Sequence, residues 1–171
     1  MSHMEDKTTK PNIILINCDD LGYGDLACYG SERNDTPHLD QLATEGVRFT
    51  DFYMASPVCS ASRAAMLTGC YSQRIGFADY QVLFPGQAQG LNTKESTIAK
   101  QLKRVGYDTK IIGKWHCGDQ PEFLPTNHGF DEYFGIPFSN DMGRQANALE
   151  RPPLPLLRND EVIQEQPDQR G

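Results

Sequence analysis

The stretch from Asn92 to His116, NTKESTIAKQLKRVGYDTKIIGKWH, decides the fold. Asn92 with Glu95 three residues on has the form of a capped helix start. Ile98, Ala99, Leu102 and Val105 then recur at the spacing of one helix face, and Gly106 ends the pattern. Tyr107 to Ile112 follows as a strand and runs into Gly113-Lys114-Trp115-His116. A helix feeding a short strand, with polar residues just past the strand end, belongs to an α/β domain with a mostly parallel sheet flanked by helices. In such a domain the ligand crevice lies beyond the C-terminal ends of the strands.

The same alternation runs through the earlier residues. Asn12-Ile13-Ile14-Leu15-Ile16-Asn17 is a continuous apolar run that ends in Asp19, Asp20 and Gly22, the pattern of a buried parallel strand opening into a site. Thr36-Pro37 starts a helix, Leu39, Leu42 and Ala43 give its apolar face, and Gly46 stops it. Val47 to Met54 reads as the next strand. Past Pro121 the pattern weakens, apart from an aromatic strand candidate at Phe130 to Phe134. Arg151 to Leu157 is proline-rich and reads as an extended loop, and Asn159 to Gly171 as polar and irregular. These are too few strands for a large sheet, so the chain is expected to stop in mid-domain.

A formal charge of -7 with scattered Lys and Arg argues against a nucleic-acid partner, which needs a basic stripe. No apolar run approaches the roughly 20 residues of a membrane span. Met1-Ser2-His3-Met4 resembles a vector scar, so residues 1–10 are set apart as scar and flexible N-terminus, and no secretion signal is present to report location. The five cysteines form no C-x-x-C pair, which disfavours a zinc site or a disulfide scaffold; Cys18 and Cys28 read as small buried thiols.

Three constellations carry chemistry. Asp19-Asp20 places two carboxylates side by side, where they repel unless a cation or strong donors neutralise them; a hard divalent ion suits oxygen ligands, and a turn pair capping Leu21-Gly22 is the plain alternative. Cys59 begins a helix through Ala64, Ala65, Met66 and Leu67, with Arg63 one turn along, so helix N–H groups and a guanidinium can address one tetrahedral anion. Alone, a Cys is more often a buried small residue and such an Arg a solvated one. Lys114 and His116 end a strand and share a side if the extended conformation continues, giving a cation and a group that moves protons near neutral pH. His38 and His128 read as structural.

Taken in order, Pro-Asn-Ile-Ile-Leu-Ile-Asn-x-Asp19-Asp20, Thr-Pro-His-Leu-Asp-x-Leu-Ala-x-Glu-Gly, Cys59-x-Ala-x-Arg63 and Gly-Lys114-Trp-His116-x-Gly118 closely resemble the N-terminal part of type I sulfatases, of the alkaline phosphatase superfamily. The resemblance implies an alkaline phosphatase-like α/β domain, over residues 11–171 only in part. It implies that Asp19 and Asp20, together with the group at Cys59, are ligands of Ca2+, and that Cys59 is oxidised to formylglycine. Arg63, Lys114 and His116 are implied to steady that group and bind sulfate, with Ser139 in Gly135-Ile136-Pro137-Phe138-Ser139-Asn140-Asp141 as a further sulfate contact.

The implied reaction is hydrolysis of an aryl or carbohydrate sulfate: the aldehyde hydrate offers one hydroxyl to sulfur and keeps a second whose deprotonation expels sulfate. The implied partners are a sulfated small molecule or glycan and the missing remainder of the enzyme, and the implied location is periplasmic or extracellular. Ala61 stands where many members have proline, a variant that resembles substrates of the radical maturation system. A later Asp-Asn ligand pair and a later His and Lys have no match before Gly171, so an isolated fragment is expected to be inactive. The alternatives are a formylglycine-dependent phosphonate monoester hydrolase or phosphodiesterase, and a non-catalytic interaction module.

Overall fold

A computed structural model describes residues 10–78 and 81–167; the scar at Met1 to Met4 lies outside the described residues. The chain divides into two compact units, residues 1–51 and 52–171.

In the first unit the expected helix forms as α1, Pro37–Glu45, with Pro37 in its first turn. Gly46 closes it, its N–H donating to Leu42 O at 2.9 Å. Thr36 is the N-cap of α1, but its side chain does not cap a helix N–H. Its hydroxyl donates to Asp40 Oδ1 at 3.0 Å and accepts from Ala27 N at 3.0 Å, while Asp40 accepts from Cys28 N at 2.8 Å, so the polar start of α1 is used to hold the turn before it. The expected strand at 12–17 does not form, and Ile14 is 84% exposed. A doubly buried strand exists only between two paired neighbours and two covering layers, and none of the strands among the described residues lies in this unit. Residues 47–54 likewise form no strand, with Val47 82% exposed. Cys18 is exposed and Cys28 half-buried, against the expectation of buried thiols; all five thiols are free.

In the second unit α2 spans Cys59–Thr68, and Gly69 ends it at φ 68°, a left-handed position that glycine adopts without strain. Its buried face, Ala61, Ala64 and Leu67, packs into a core with Phe77, Leu91, Trp115, Cys117 and Tyr133. Helix α3 is Ile98–Arg104, shorter than expected. Its cap is Thr97, whose hydroxyl accepts from Lys100 N at 3.2 Å, and Asn92 instead accepts from Lys94 N in a separate turn. Thr97 is buried and also donates to His128 O, a tertiary contact that fixes the helix start five residues later than the local pattern does.

The sheet has the order β1 (Lys110–Lys114), β2 (Glu132–Ile136), β3 (Pro155–Arg158) and β4 (Glu161–Glu165). β1 and β2 are parallel, in register Lys110 with Glu132 through Lys114 with Ile136; the other two pairings are antiparallel. The domain is thus α/β, with a small mixed sheet flanked by helices. Both β1 and β2 run about two residues later than the strand propensity suggests. Ahead of them the Asp131 carboxylate accepts from Thr109 N at 2.9 Å and Thr109 Oγ1 at 2.8 Å, so these residues form a polar staple and not the ladder. Lys103 chiefly, with Thr109, holds the Asp131 carboxyl down to about 2. Within the expected proline-rich loop and irregular tail, residues 155–165 form the β3–β4 hairpin, turned at Asn159 with φ 55°, while residues 168–171 lie outside the described residues. Asn159 also exchanges bonds with the main chain of Tyr133.

Candidate active site

Helix α2 begins at Cys59 with no side chain capping it, since its N-cap is Val58. The first-turn N–H groups of such a helix are suited to an anion. Cys59 is half-buried and Arg63 half-buried one turn on. The Arg63 guanidinium donates from Nη1 to Lys114 O at 2.6 Å, which fastens α2 to the C-terminal end of β1.

The extended conformation does not continue beyond Lys114: His116 has φ 62°. That left-handed backbone is uncommon for a residue with a side chain and is found preferentially at functional positions. The parallel pairing nonetheless persists through main-chain bonds, Trp115 N to Ile136 O at 2.9 Å and His116 N to Pro137 O at 3.0 Å. His116 is buried, and its Nε2 lies 2.9 Å from Leu83 O. A carbonyl can only accept, so Nε2 carries the hydrogen and the lone pair of the neutral ring belongs to Nδ1.

Leu83 is the hub. Its N–H donates to the buried Ser60 Oγ at 3.0 Å, next to Cys59, while its carbonyl receives His116. The chain of bonds Ser60, Leu83, His116 and then back from Lys114 to Arg63 closes a circuit around the start of α2. Arg63, His116 and the main chain of Lys114 are therefore tied to the start of α2, where Cys59 is the first helical residue. Ser139 is half-buried at the same C-terminal edge of the parallel pair, two residues past Pro137. Asp19 and Asp20 belong to the first unit, in an exposed turn with Asp20 at φ 59°.

Two groups beside Arg63 were not singled out by the sequence pattern. Cys117 is fully buried, and desolvation pushes its thiol up to about 12, against the pull of Arg63 and with a smaller push from Cys59. Tyr133 is buried as well, and desolvation raises its phenol while Arg63 opposes the rise. Both stay neutral at physiological pH and leave the guanidinium as the charge of this wall. Ser60 and Leu83 were also unmarked: Leu83 acts through its main chain, which leaves no residue-type signal. The structural role expected of His128 holds, since it is buried and stacked 5.4 Å from Trp115.

A helix N-terminus that no side chain caps, with the Arg63 guanidinium one turn along it, is suited to an anion. Residues 11–166 match the Sulfatase family, and the chain belongs to it. It is 50% identical over 145 residues to human Arylsulfatase A, covering 84% of this chain and 28% of that protein. It is 43% identical over 159 residues to human N-acetylgalactosamine-6-sulfatase, covering 90% of this chain and 30% of the relative. The crystal structure of Ps i-CgsB superimposes with a TM-score of 0.76 at 37% identity over 90% of this chain and 37% of that one. The chain thus spans less than a third of the length of these curated relatives.

Proposed function

We propose that this chain carries the nucleophile side of a sulfuric ester hydrolase acting on an aryl or carbohydrate sulfate, with Cys59 converted to formylglycine. The observation that supports it most is the closed circuit through Leu83, because it ties His116, the Arg63 guanidinium and the main chain of Lys114 to the first turn of an uncapped helix that begins at Cys59. Formylglycine, when present, supplies a hydrated aldehyde whose hydroxyl is the nucleophile. Arg63 and Lys114 offset charge on the transferred group, the α2 N–H groups add their partial positive charge, and Ser139 contributes a hydroxyl to the sulfate oxygens. With Nε2 held by Leu83, His116 accepts or returns a proton at Nδ1.

Asp19 and Asp20 fit calcium in donor type, being hard oxygen ligands, with the group at Cys59 as the third ligand in this reading. They are fewer than the roughly six to eight oxygens calcium takes. Among the described residues no cluster of three or more His, Cys, Asp or Glu is gathered closely enough for a metal. Calcium, when bound, would supply positive charge that acidifies a nearby hydroxyl. The proposed partner is a sulfated small molecule or glycan, and the proposed location is periplasmic or extracellular; no described helix is long and apolar enough to cross a membrane.

The test has two readouts. Mass spectrometry of the peptide spanning Cys59, after co-production with a radical maturase, is expected to show the aldehyde in place of the thiol. The full-length protein that contains these residues is then expected to hydrolyse 4-nitrophenyl sulfate and Cys59→Ala to abolish it, while the isolated 171-residue chain is expected to be inactive. Faster turnover of an aryl phosphodiester than of the aryl sulfate would overturn the assignment.

A further inference from the structure

Leu83, whose main chain joins Ser60 to His116, also lines a cavity of about 390 Å³. That volume lies within the range of small-ligand sites. Its lining includes the aromatic residues Phe77 and Phe123, the amide residues Gln81, Gln89 and Asn92, and the acidic Glu122.

The aromatic wall is built and not incidental. A Cβ placed on Gly90 would stand 2.3 Å from the Phe123 ring, and one on Gly118 would stand 2.6 Å from Phe123 Cβ, so the side chain rests directly on two bare α-carbons. The carbonyl of Phe123 accepts from the indole of the fully buried Trp115 at 2.9 Å. Anchored at main chain and ring, Phe123 presents a fixed aromatic surface. Opposite chemistry comes from Gln81, whose amide donates to the Gln89 carbonyl. Whichever way these two amides are turned, the pair retains one carbonyl acceptor and one amine donor for a ligand.

None of the described lining residues is a Lys, Arg or His, and Glu122 adds a negative charge. Aromatic faces suit the C–H face of a saturated ring, amides suit hydroxyls that both donate and accept, and the lone carboxylate disfavours a second anion.

We propose that this cavity is a subsite for an uncharged, hydroxyl-rich ring, a neutral sugar residue next to the one that bears the ester. Its assignment as part of a substrate site rests on the sulfate ester reading of Cys59 and His116, since Leu83 is the wall common to both. The selectivity is against charge: a neighbouring residue bearing a carboxylate or sulfate is disfavoured by Glu122, with no cation among the described lining residues to receive it.

The experiment titrates the ¹⁵N-labelled chain, with Cys59 unmodified, against neutral methyl glycosides of glucose, galactose, mannose and xylose, and against methyl glucuronide and methyl galacturonide. At least one neutral glycoside is expected to give saturable shifts at the amides of Gly90, Asn92 and Phe123, with the uronides about tenfold weaker. Glu122→Gln narrows that ratio to about threefold, and Gln89→Ala weakens the neutral ligand about fivefold. No saturable shift at these amides with any neutral glycoside, or uronides binding as well as their neutral counterparts, overturns the proposal. Ring binding is read without ester hydrolysis, so its failure is separate from a failure of the chemistry at Cys59.

Discussion

Lowering the pH places a charge where this fold has no room for one. The His128 ring is fully buried against Trp115, and among the described residues neither of its nitrogens has a hydrogen-bond partner. Burial first, and the nearby Lys100 second, push the imidazole from the ordinary 6.5 down to about 4. Between those values the unfolded chain takes up a proton that the folded chain refuses, so stability rises with pH across the window. It is fully present above pH 6.5 and drains away as pH falls toward 4. At about 1.4 kcal/mol per pH unit the whole window is worth about 3 kcal/mol, of which about 2.5 kcal/mol is lost by pH ~4.5. Against a total stability of about 5–15 kcal/mol that is a large share.

The reporter is already in place, because Trp115 is the single tryptophan and it touches His128. Urea unfolding followed by Trp115 fluorescence at several pH values between about 7.5 and 4.5 gives the slope for the natural chain and for His128→Phe. The substitution keeps an aromatic ring on Trp115 and removes the titration. Its stability is expected to vary less with pH, so that the difference between the two proteins changes by about 2.5 kcal/mol over the range. Asp131 does not confuse the result: its folded value of about 2 lies below the ordinary 3.8, so its contribution is present above 3.8 and lost only in more acid solution. Parallel slopes in the two proteins would refute the reasoning.

Ser60→Ala removes the acceptor of the buried Leu83 N–H, and a loss of about 1–3 kcal/mol is expected in the same unfolding assay. Because Leu83 then loses its anchor, the His116 ring resonances, read by ¹⁵N NMR, should depart from a pure Nε2–H tautomer; an unchanged tautomer would remove Ser60 from the circuit. Gly135→Ala places a Cβ 1.9 Å from Gly113 O, a main-chain atom that cannot swing aside. It should cost more than about 3 kcal/mol and break the β1–β2 pairing, and a melting temperature near that of the natural chain would contradict the register. Gly69→Ala meets no atom within 4 Å and bears only its φ of +68°, so about 1 kcal/mol is expected in the same thermal scans.

What was legible in the sequence is what local chemistry specifies. Proline at the start of α1 and glycine at its end punctuate that helix where it occurs. The strands were legible in kind and misplaced in position, since Thr109 and Asp131 look like strand residues until their side chains are seen to bond each other. The β3–β4 hairpin was hidden by its own prolines, yet Pro155 is the first residue of its strand, a position where a missing N–H is tolerated. The run at 12–17 failed for a different reason. An apolar pattern records a demand for burial, but burial is met by other segments, and none of the four strands among the described residues lies in that unit.

The candidate site divides along the same line. Cys59, Arg63, Lys114 and His116 could be marked because their side chains carry chemistry at readable spacings, and main-chain and side-chain bonds tie the segments that bear them together. Leu83 could not be marked, because any residue supplies the same N–H and C=O. Its position nonetheless decides which nitrogen of His116 holds the hydrogen, and its side chain lines the cavity beside Phe123. A change that moves the main chain at Leu83 thus alters proton placement and the cavity together, whereas a change of side chain there alters the cavity and the core it packs in. A substitution at the exposed Gln89 therefore tests the proposed ring subsite without disturbing the Ser60 and His116 bonds to Leu83.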